Sequence, residues 1–134
     1  MRTDTSKTPQ TIYLKDYTPA PFLAQKIVLH FQLFEEKTIV TSTVDYLENA
    51  ASQSQDLVLH GDHQTVTEVL LNGEAFSDYV IEDGNMTIAN AGSIADGKFA
   101  LTITSEIDPA NNTALEGLYQ SQGNYCTQCE AEGF

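Results

Sequence analysis

Turn signals constrain the fold of this chain most, because they recur too often to leave room for long helices. Asn72-Gly73, Asp83-Gly84 and Asp96-Gly97 are dipeptides typical of tight turns. Around them, apolar and polar residues alternate instead of recurring every three or four positions. No stretch of ten or more residues combines a helical period with capping residues. The sequence therefore predicts short strands joined by turns.

The clearest strand pattern begins at Lys26, in KIVLHFQLF. Four apolar residues occupy its alternate positions and so share one face of a strand: Ile27, Leu29, Phe31 and Leu33. The β-branched stretch TIVTSTVDY follows and predicts the second strand of a hairpin. Similar segments continue to Ile107, namely DLVLHG, TVTEVLL, DYVIED, MTIAN and KFALTITSEI. We expect an all-β fold, an antiparallel β-sandwich of about seven or eight short strands.

The two ends of the chain depart from this pattern. Residues 1–11 are polar and predict a flexible N-terminus, and MRTDTSKTPQ lacks the apolar core of a secretory signal. Residues 108–134 show no periodicity, so we expect an irregular C-terminal segment. Long irregular segments in compact domains are usually functional or belong to an interface. By length we expect a single domain over residues 12–134.

Charge narrows the range of partners. The chain has 19 acidic and six basic residues, for a net charge of −13. Such a field repels phosphate backbones, so we expect no nucleic-acid partner. No apolar run approaches the roughly 20 residues of a membrane span, so we expect no membrane partner. Most of the acids would solvate the surface; the alternative is that a few face a cationic ligand such as an amine or a metal.

A CxxC motif joins Cys126 to Cys129. It could be half of a zinc site, a redox dithiol, or a pair of structural thiols. A zinc site needs two further ligands, and the histidines lie far upstream at His30, His60 and His63. A redox centre needs a helix N-terminus in a βαβ context, which this sequence does not show. We favour structural thiols, and with only two cysteines and no signal peptide we expect a cytoplasmic protein.

The sequence contains few other residues that could form a catalytic or metal-binding site. HGDH, from His60 to His63, places two histidines and an aspartate in a predicted turn. That is either half of a metal site or, as is usual for polar turns, a solvated surface. HExxH, GxSxG and glycine-rich phosphate loops do not occur. We therefore predict no catalytic residue and no metal ligand in this chain.

The most specific pattern lies in the C-terminal segment, in two stretches. The first contains Asn112, Leu115, Gly117, Leu118 and Tyr119, and the second contains Thr127, Gln128 and Glu130. They resemble the Asn-x-x-Leu-x-Gly-Leu-Tyr and Thr-Gln-x-Glu stretches of the aminopeptidase N family, which are zinc-dependent gluzincin peptidases. IYLKDYTPAPF, KIVLHFQLF and TIVTSTV also resemble the opening of bacterial members, so the resemblance spans the chain from Ile12.

The resemblance implies roles for single residues. The family's first domain is a β-sandwich, and one of its loops reaches into the active site of the next domain. Carried over by position, Glu130 would bind the free α-amino group of the peptide substrate, and Gln128 would line the pocket for its first side chain. Glu116 and Tyr119 would shape the loop or seal the domain junction. No cofactor is implied for this chain, because zinc, its ligands and the general base belong to the catalytic domain.

We therefore expect the N-terminal domain of a zinc metallo-aminopeptidase, which removes N-terminal amino acids from peptides. The chain would recognise the substrate and be inactive alone. Because the family's first domain continues with further strands, the chain looks incomplete beside it. Expected partners are the peptide N-terminus, the catalytic domain and a second copy paired through exposed strand edges. The alternative is a free-standing β-sandwich that serves as a protein-interaction module.

Overall fold

The structure is a computed structural model, and it describes residue 11 and residues 13–128. The chain divides into two compact units. One unit is Pro19–Ile107, and the described part of the other comprises residues 11, 13–18 and 108–128. Apart from residue 11, the predicted flexible segment 1–11 lies outside the described residues.

Among the described residues, strands dominate both units, and three short 3-10 segments accompany them. The first unit holds eight strands: β1 (Phe22–Leu33), β2 (Thr38–Glu48), β3 (Leu57–His60), β4 (Gln64–Leu71), β5 (Glu74–Ala75), β6 (Val80–Glu82), β7 (Asn85–Ile88) and β8 (Lys98–Ile107). The second unit holds β9 (Gly117–Ser121) and β10 (Asn124–Gln128). The 3-10 helices are Leu14–Asp16, Ala91–Gly97 and Pro109–Asn111, and Ala91–Gly97 is kinked because Ile94, Ala95 and Asp96 have non-helical backbone angles. Within the described residues, no helix is long and apolar enough to cross a membrane.

The first unit contains two sheets whose strand pairs are all antiparallel. The larger has the order β1-β2-β8-β4-β5, and the smaller has the order β3-β7-β6. β2 lies between β1 and β8, and its pairing with β8 runs from Thr38 opposite Ile107 to Leu47 opposite Lys98. A bulge interrupts the pairing of β1 with β2 between Ala24 and Lys26. The sheet therefore places the first strand at its edge and the last strand of the unit at its centre.

The core of the first unit lies between these sheets. The larger sheet contributes buried residues from β1, β4 and β8: Phe22, Val69, Phe99 and Leu101. The smaller sheet and the following 3-10 helix contribute Leu57, Met86, Ile88 and Ala91. The rings of Phe22 and Phe99 meet edge to face, with centroids 5.5 Å apart. Two sheets that share one apolar core confirm the predicted β-sandwich.

Tight turns set the register of the smaller hairpins, as the sequence predicted. Asn72 and Gly73 join β4 to β5 with φ angles of 51° and 86°. Asp83 and Gly84 join β6 to β7 with φ angles of 49° and 77°. Two successive residues in the left-handed region are typical of the primed turns that suit twisted hairpins. Asn72 also accepts a hydrogen bond from the backbone N–H of Ala100, which ties this turn to β8.

Strand β1 differs from a buried core strand. Its period-two pattern is confirmed, but of its twelve residues only Phe22 is buried. The four alternating apolar residues predicted to share a face lie opposite β2 and stay about half exposed: Ile27, Leu29, Phe31 and Leu33. Phe22, at one end of the strand, is the only β1 residue in the core cluster.

The expectation of an irregular C-terminal segment needs correction for residues 117–128. There β9 and β10 form a regular antiparallel hairpin, with Asn124 opposite Ser121 at the turn. Gln122 and Gly123 occupy the turn with φ angles of 51° and 81°. The sequence pattern that would predict this hairpin is weak, because the turn begins with Gln rather than Asn or Asp and because both strands carry few apolar residues.

Candidate functional site

The segment that precedes the β9–β10 hairpin begins with a capped 3-10 helix. Asp108 accepts a hydrogen bond from the backbone N–H of Asn111 at 3.1 Å and another from its side-chain amide at 2.7 Å. These bonds from Asn111, side chain first, hold the pKa of the Asp108 carboxyl below its usual range. The ionised carboxylate of Asp108 therefore caps the N-terminus of this 3-10 helix.

The side chain of Asn112 then closes a loop. Its amide donates to the backbone oxygens of Glu116 at 2.7 Å and Leu118 at 2.9 Å. Leu115 and Gly117 within the loop have φ angles of 59° and 66°, in the left-handed region. Asn112 thus holds a short loop whose backbone would otherwise be unfavourable at Leu115. In the sequence, Asn112 stood out only as part of a family pattern. The structure gives a physical reason for an asparagine there, namely its two hydrogen bonds to backbone oxygens.

The hairpin brings together the two sequence stretches that carry the family resemblance. Thr127 lies opposite Leu118, and Gln128 lies opposite Gly117. Cys126 lies opposite Tyr119, the last residue of the first stretch. Gly117, Leu118 and Tyr119 of the first stretch and Thr127 and Gln128 of the second therefore lie in one ladder, which begins directly at the loop closed by Asn112.

Gln128 ends β10 with its side chain exposed. Its partner Gly117 has open surroundings, because a Cβ added there would meet no heavy atom within 4 Å. Glu116 and Tyr119, which the resemblance placed at the loop or at a domain junction, are half-buried. Glu130 and Cys129 lie outside the described residues. Of the two predicted substrate-binding residues, the structure therefore places Gln128 alone.

The CxxC motif is described only at its first cysteine. Cys126 is half-buried, and its thiol donates to the backbone oxygen of Asn124 at 3.8 Å. Among residue 11 and residues 13–128, no three histidine, cysteine, aspartate or glutamate side chains come together as a metal site. The described residues therefore do not fit a zinc ion.

The HGDH turn forms a shallow surface depression lined by His60, Gly61, Asp62, Asp83 and Gly84. Nδ1 of His60 lies 2.6 Å from Oδ1 of Asn85, so this nitrogen is engaged by an amide. His63 and Asp62 approach to 3.5 Å, and both side chains are largely exposed. This arrangement is a polar, solvated turn, which was the favoured interpretation of the motif.

Comparisons with known proteins bear on the identity of this chain. No protein-family profile matches it. Aminopeptidase N of Caulobacter vibrioides is 39% identical over 136 residues, which cover 100% of this chain and 15% of that protein. Aminopeptidase N of Escherichia coli is 40% identical over 94% of this chain and 14% of its own length. Aminopeptidase N of Haemophilus influenzae is 38% identical over 91% of this chain. The chain thus spans about one seventh of the length of these relatives.

A solved aminopeptidase structure is also similar to this chain. The crystal structure of Legionella pneumophila aminopeptidase A in complex with aspartic acid matches 90% of this chain and 14% of its own, with a TM-score of 0.77 and 25% sequence identity. The sandwich, the hairpin and the sequence matches over the whole chain lead to the same conclusion. The chain is a relative of aminopeptidase N, and its fold fits the N-terminal domain of an aminopeptidase.

Proposed function

We propose that this chain is the substrate-recognition part of an aminopeptidase. In this proposal Glu130 binds the free α-amino group of a peptide, and Gln128 lines the pocket for the first side chain. The parent enzyme would be a cytoplasmic zinc metallopeptidase that removes N-terminal amino acids, with zinc and the catalytic groups held by another domain. This chain would supply no catalysis by itself.

One observation carries the proposal. The hairpin pairs Leu118 and Gly117 of the first stretch with Thr127 and Gln128 of the second, so that Gln128 ends β10 beside the loop closed by Asn112. Two bonds from Asn112 and the left-handed backbone at Gly117 specify the shape of that loop. A side chain that selects a ligand must be held by a rigid surrounding shell. The ladder and the loop offer such support to Gln128, which lies two residues before Glu130 in the sequence.

The chemistry assigned to Glu130 follows from the difference between a terminal ammonium and an internal amide. A carboxylate pairs with the ammonium through short charge-assisted hydrogen bonds and has no such attraction for a neutral amide. Hydrogen bonds to charged groups contribute about 1.5–3 kcal/mol each. One such bond therefore corresponds to roughly a ten- to hundredfold preference for a free N-terminus. Binding the amine also fixes the scissile bond one residue away, which is catalysis by positioning.

A chimeric enzyme tests this proposal. The matching segment of E. coli aminopeptidase N would be replaced by this chain, which is 40% identical to it. Glu130→Gln in that chimera should lower kcat/KM for peptides with a free N-terminus by about ten- to hundredfold. Gln128→Ala should change the ranking of first side chains and affect the amine preference less. The readout is kcat/KM across peptides that differ in their first residue.

The matched control is Glu74→Gln, which removes an exposed carboxylate from β5 in the sandwich. It should leave kcat/KM unchanged. Equal losses for Glu130→Gln and Glu74→Gln would contradict the role of Glu130. An unchanged kcat/KM for Glu130→Gln in an active chimera would contradict it directly.

A free-standing interaction module is the second candidate, and a specific observation favours it. Half-exposed apolar residues line the outer strand β1, as is common at surfaces that bind another protein. This candidate does not use the C-terminal hairpin. If the chain binds a peptide amine through the C-terminal segment, substitutions in β1 should leave that binding unchanged. If it binds a protein through β1, the same substitutions should weaken binding of that protein.

A further inference from the structure

Asn72 joins the turn between β4 and β5 to the central strand β8 through two hydrogen bonds. Its backbone N–H donates to the oxygen of Ala100 at 2.8 Å, and its side-chain Oδ1 accepts from the N–H of Ala100 at 2.8 Å. These bonds follow the last backbone pair of the two strands, in which Leu71 lies opposite Leu101. The side-chain oxygen of Asn72 therefore takes the place of its own backbone oxygen, one step beyond the end of the ladder.

The same asparagine precedes a glycine, and that order allows a reaction within the chain. Of the seven asparagines in the sequence, only Asn72 is followed by glycine. The backbone nitrogen of Gly73 can attack Cγ of Asn72, because glycine has no side chain to hinder the approach. A bond forms between this nitrogen and Cγ, the Cγ–Nδ2 bond breaks, and Nδ2 leaves as ammonia with the proton of the Gly73 N–H. Water then opens the succinimide ring to aspartate or isoaspartate.

The folded turn opposes this reaction in two ways. Asn72 and Gly73 have φ angles of 51° and 86°, in the left-handed region. There ψ is typically about 47°, which turns the nitrogen of the next residue away from the asparagine Cβ and out of reach of Cγ. In addition, the bond from Ala100 holds Oδ1 of Asn72 towards β8. Ring closure therefore requires that the turn and this hydrogen bond both open.

We infer that Asn72 is a site of deamidation and that its pairing with Ala100 controls the reaction. The reaction proceeds from conformations in which the β4–β5 turn has separated from β8, at a rate set by how often this opening occurs. The chain and water are the only reactants, so the modification needs no oxidant, reductant or cofactor.

The two products should affect the sandwich differently. Aspartate keeps an oxygen that can accept the N–H of Ala100, so the turn can form again. Isoaspartate adds a methylene to the backbone, so the residues no longer fit a two-residue turn between paired strands. Strand β5 should then separate from β4 and lose the 2.9 Å bond from the N–H of Phe76 to the oxygen of Val69. Because Phe76 packs against the core cluster, isoaspartate should loosen that side of the core.

Mass spectrometry of the unsubstituted chain at neutral pH tests the site and its control. Deamidation of Asn72 is compared between the folded chain, the chain unfolded in urea, and a peptide of residues 68–77 measured with and without urea. The folded chain should react at least about tenfold more slowly than the unfolded chain and the peptide. Equal rates in the folded and unfolded chains, or no reaction in the peptide, would overturn the inference.

Hydrogen exchange of the Ala100 amide tests which opening matters. The protection of this amide and the slowing of deamidation should agree within about tenfold, since both report separation of the turn from β8. Asn72→Ala should speed exchange at Ala100 by about tenfold, because the N–H loses its acceptor. The matched Asn85→Ala, beside the turn in the smaller sheet, should leave it unchanged. Equal exchange in both variants, or deamidation much faster than the opening measured at Ala100, would exclude control by this pairing.

Discussion

Gln128 lies directly opposite Gly117 in the β9–β10 ladder, at the end where the hairpin meets the loop closed by Asn112. The pairing means that the backbone of the first family stretch helps to position the second. Gly117 has a φ of 66° and no heavy atom within 4 Å of where a Cβ would be. The glycine is therefore required by its backbone conformation rather than by lack of space.

Substitutions at Gly117 should separate conformation from packing. Gly117→Val should destabilise the hairpin by about 1–2 kcal/mol, because a β-branched residue strongly disfavours a positive φ. Gly117→Asn should cost less, since asparagine tolerates that region. Hydrogen exchange of the β9 and β10 amides measures the difference. Equal protection in both variants would mean that φ at this position does not limit the hairpin.

Loss of the Asn112 amide should open the loop. Asn112→Ala removes two hydrogen bonds, to the backbone oxygens of Glu116 and Leu118, and should cost about 1–3 kcal/mol of local stability. The matched control is Asn124→Ala at the exposed start of β10. Hydrogen exchange of residues 112–118 should rise in the first variant and stay unchanged in the second. Similar exchange in both would exclude the proposed closure by Asn112.

Thr38 and Thr43 should respond oppositely to the same substitution. Thr38 is fully buried, and no described residue gives its hydroxyl a hydrogen bond. Thr38→Val should therefore stabilise the chain by about 1 kcal/mol, because it removes an unsatisfied polar atom. Thr43→Val should destabilise it slightly by breaking the 3.0 Å bond with Thr102. Urea unfolding measures both changes, and a loss of stability in Thr38→Val would show that its hydroxyl is satisfied.

Acid should loosen the segment that leads to the hairpin. Bonds from Asn111 lower the pKa of Asp108 in the folded state, so its carboxylate adds stability above its unfolded pKa of about 3.9. That stability is lost as pH falls through the lowered folded value. NMR shifts of Asn111 should therefore change below about pH 4, and the folded pKa of Asp108 should lie below that of a model peptide. A control with Asn111→Ala should bring the pKa back towards the ordinary value.

The sequence predicted the sandwich well because its signals are local. Alternation in residues 26–34 and the turns at Asn72-Gly73 and Asp83-Gly84 each depend on a few neighbouring residues, and the structure contains all of them. Burial was harder to predict. Ile27 and Leu29 have the pattern of core residues, but Phe22 is the only β1 residue that belongs to the core cluster.

The candidate site was predicted through resemblance more than through chemistry. The sequence named Gln128 but gave no physical reason for Asn112, whose value depends on bonds to backbone oxygens that form only when the loop closes. Cys126 shows the reverse case. Its motif allowed a zinc or a redox role, although we favoured structural thiols, and within residues 13–128 the thiol contacts the backbone oxygen of Asn124. Short motifs do not contain the three-dimensional context that decides between such roles.

The central position of β8 has a consequence for how the sandwich is made. β8 separates β2 from β4 in the larger sheet, although it is the last strand of that unit to be synthesised. Partners such as Thr43 and Thr102 are 59 residues apart. On the ribosome, β1 and β2 can form a hairpin early, but the sheet cannot close until Ile107 has emerged. Because β4 cannot pair with β8 before β8 is synthesised, the nascent chain carries unpaired strands until synthesis passes Ile107. Folding dominated by such distant pairings then takes roughly milliseconds to seconds.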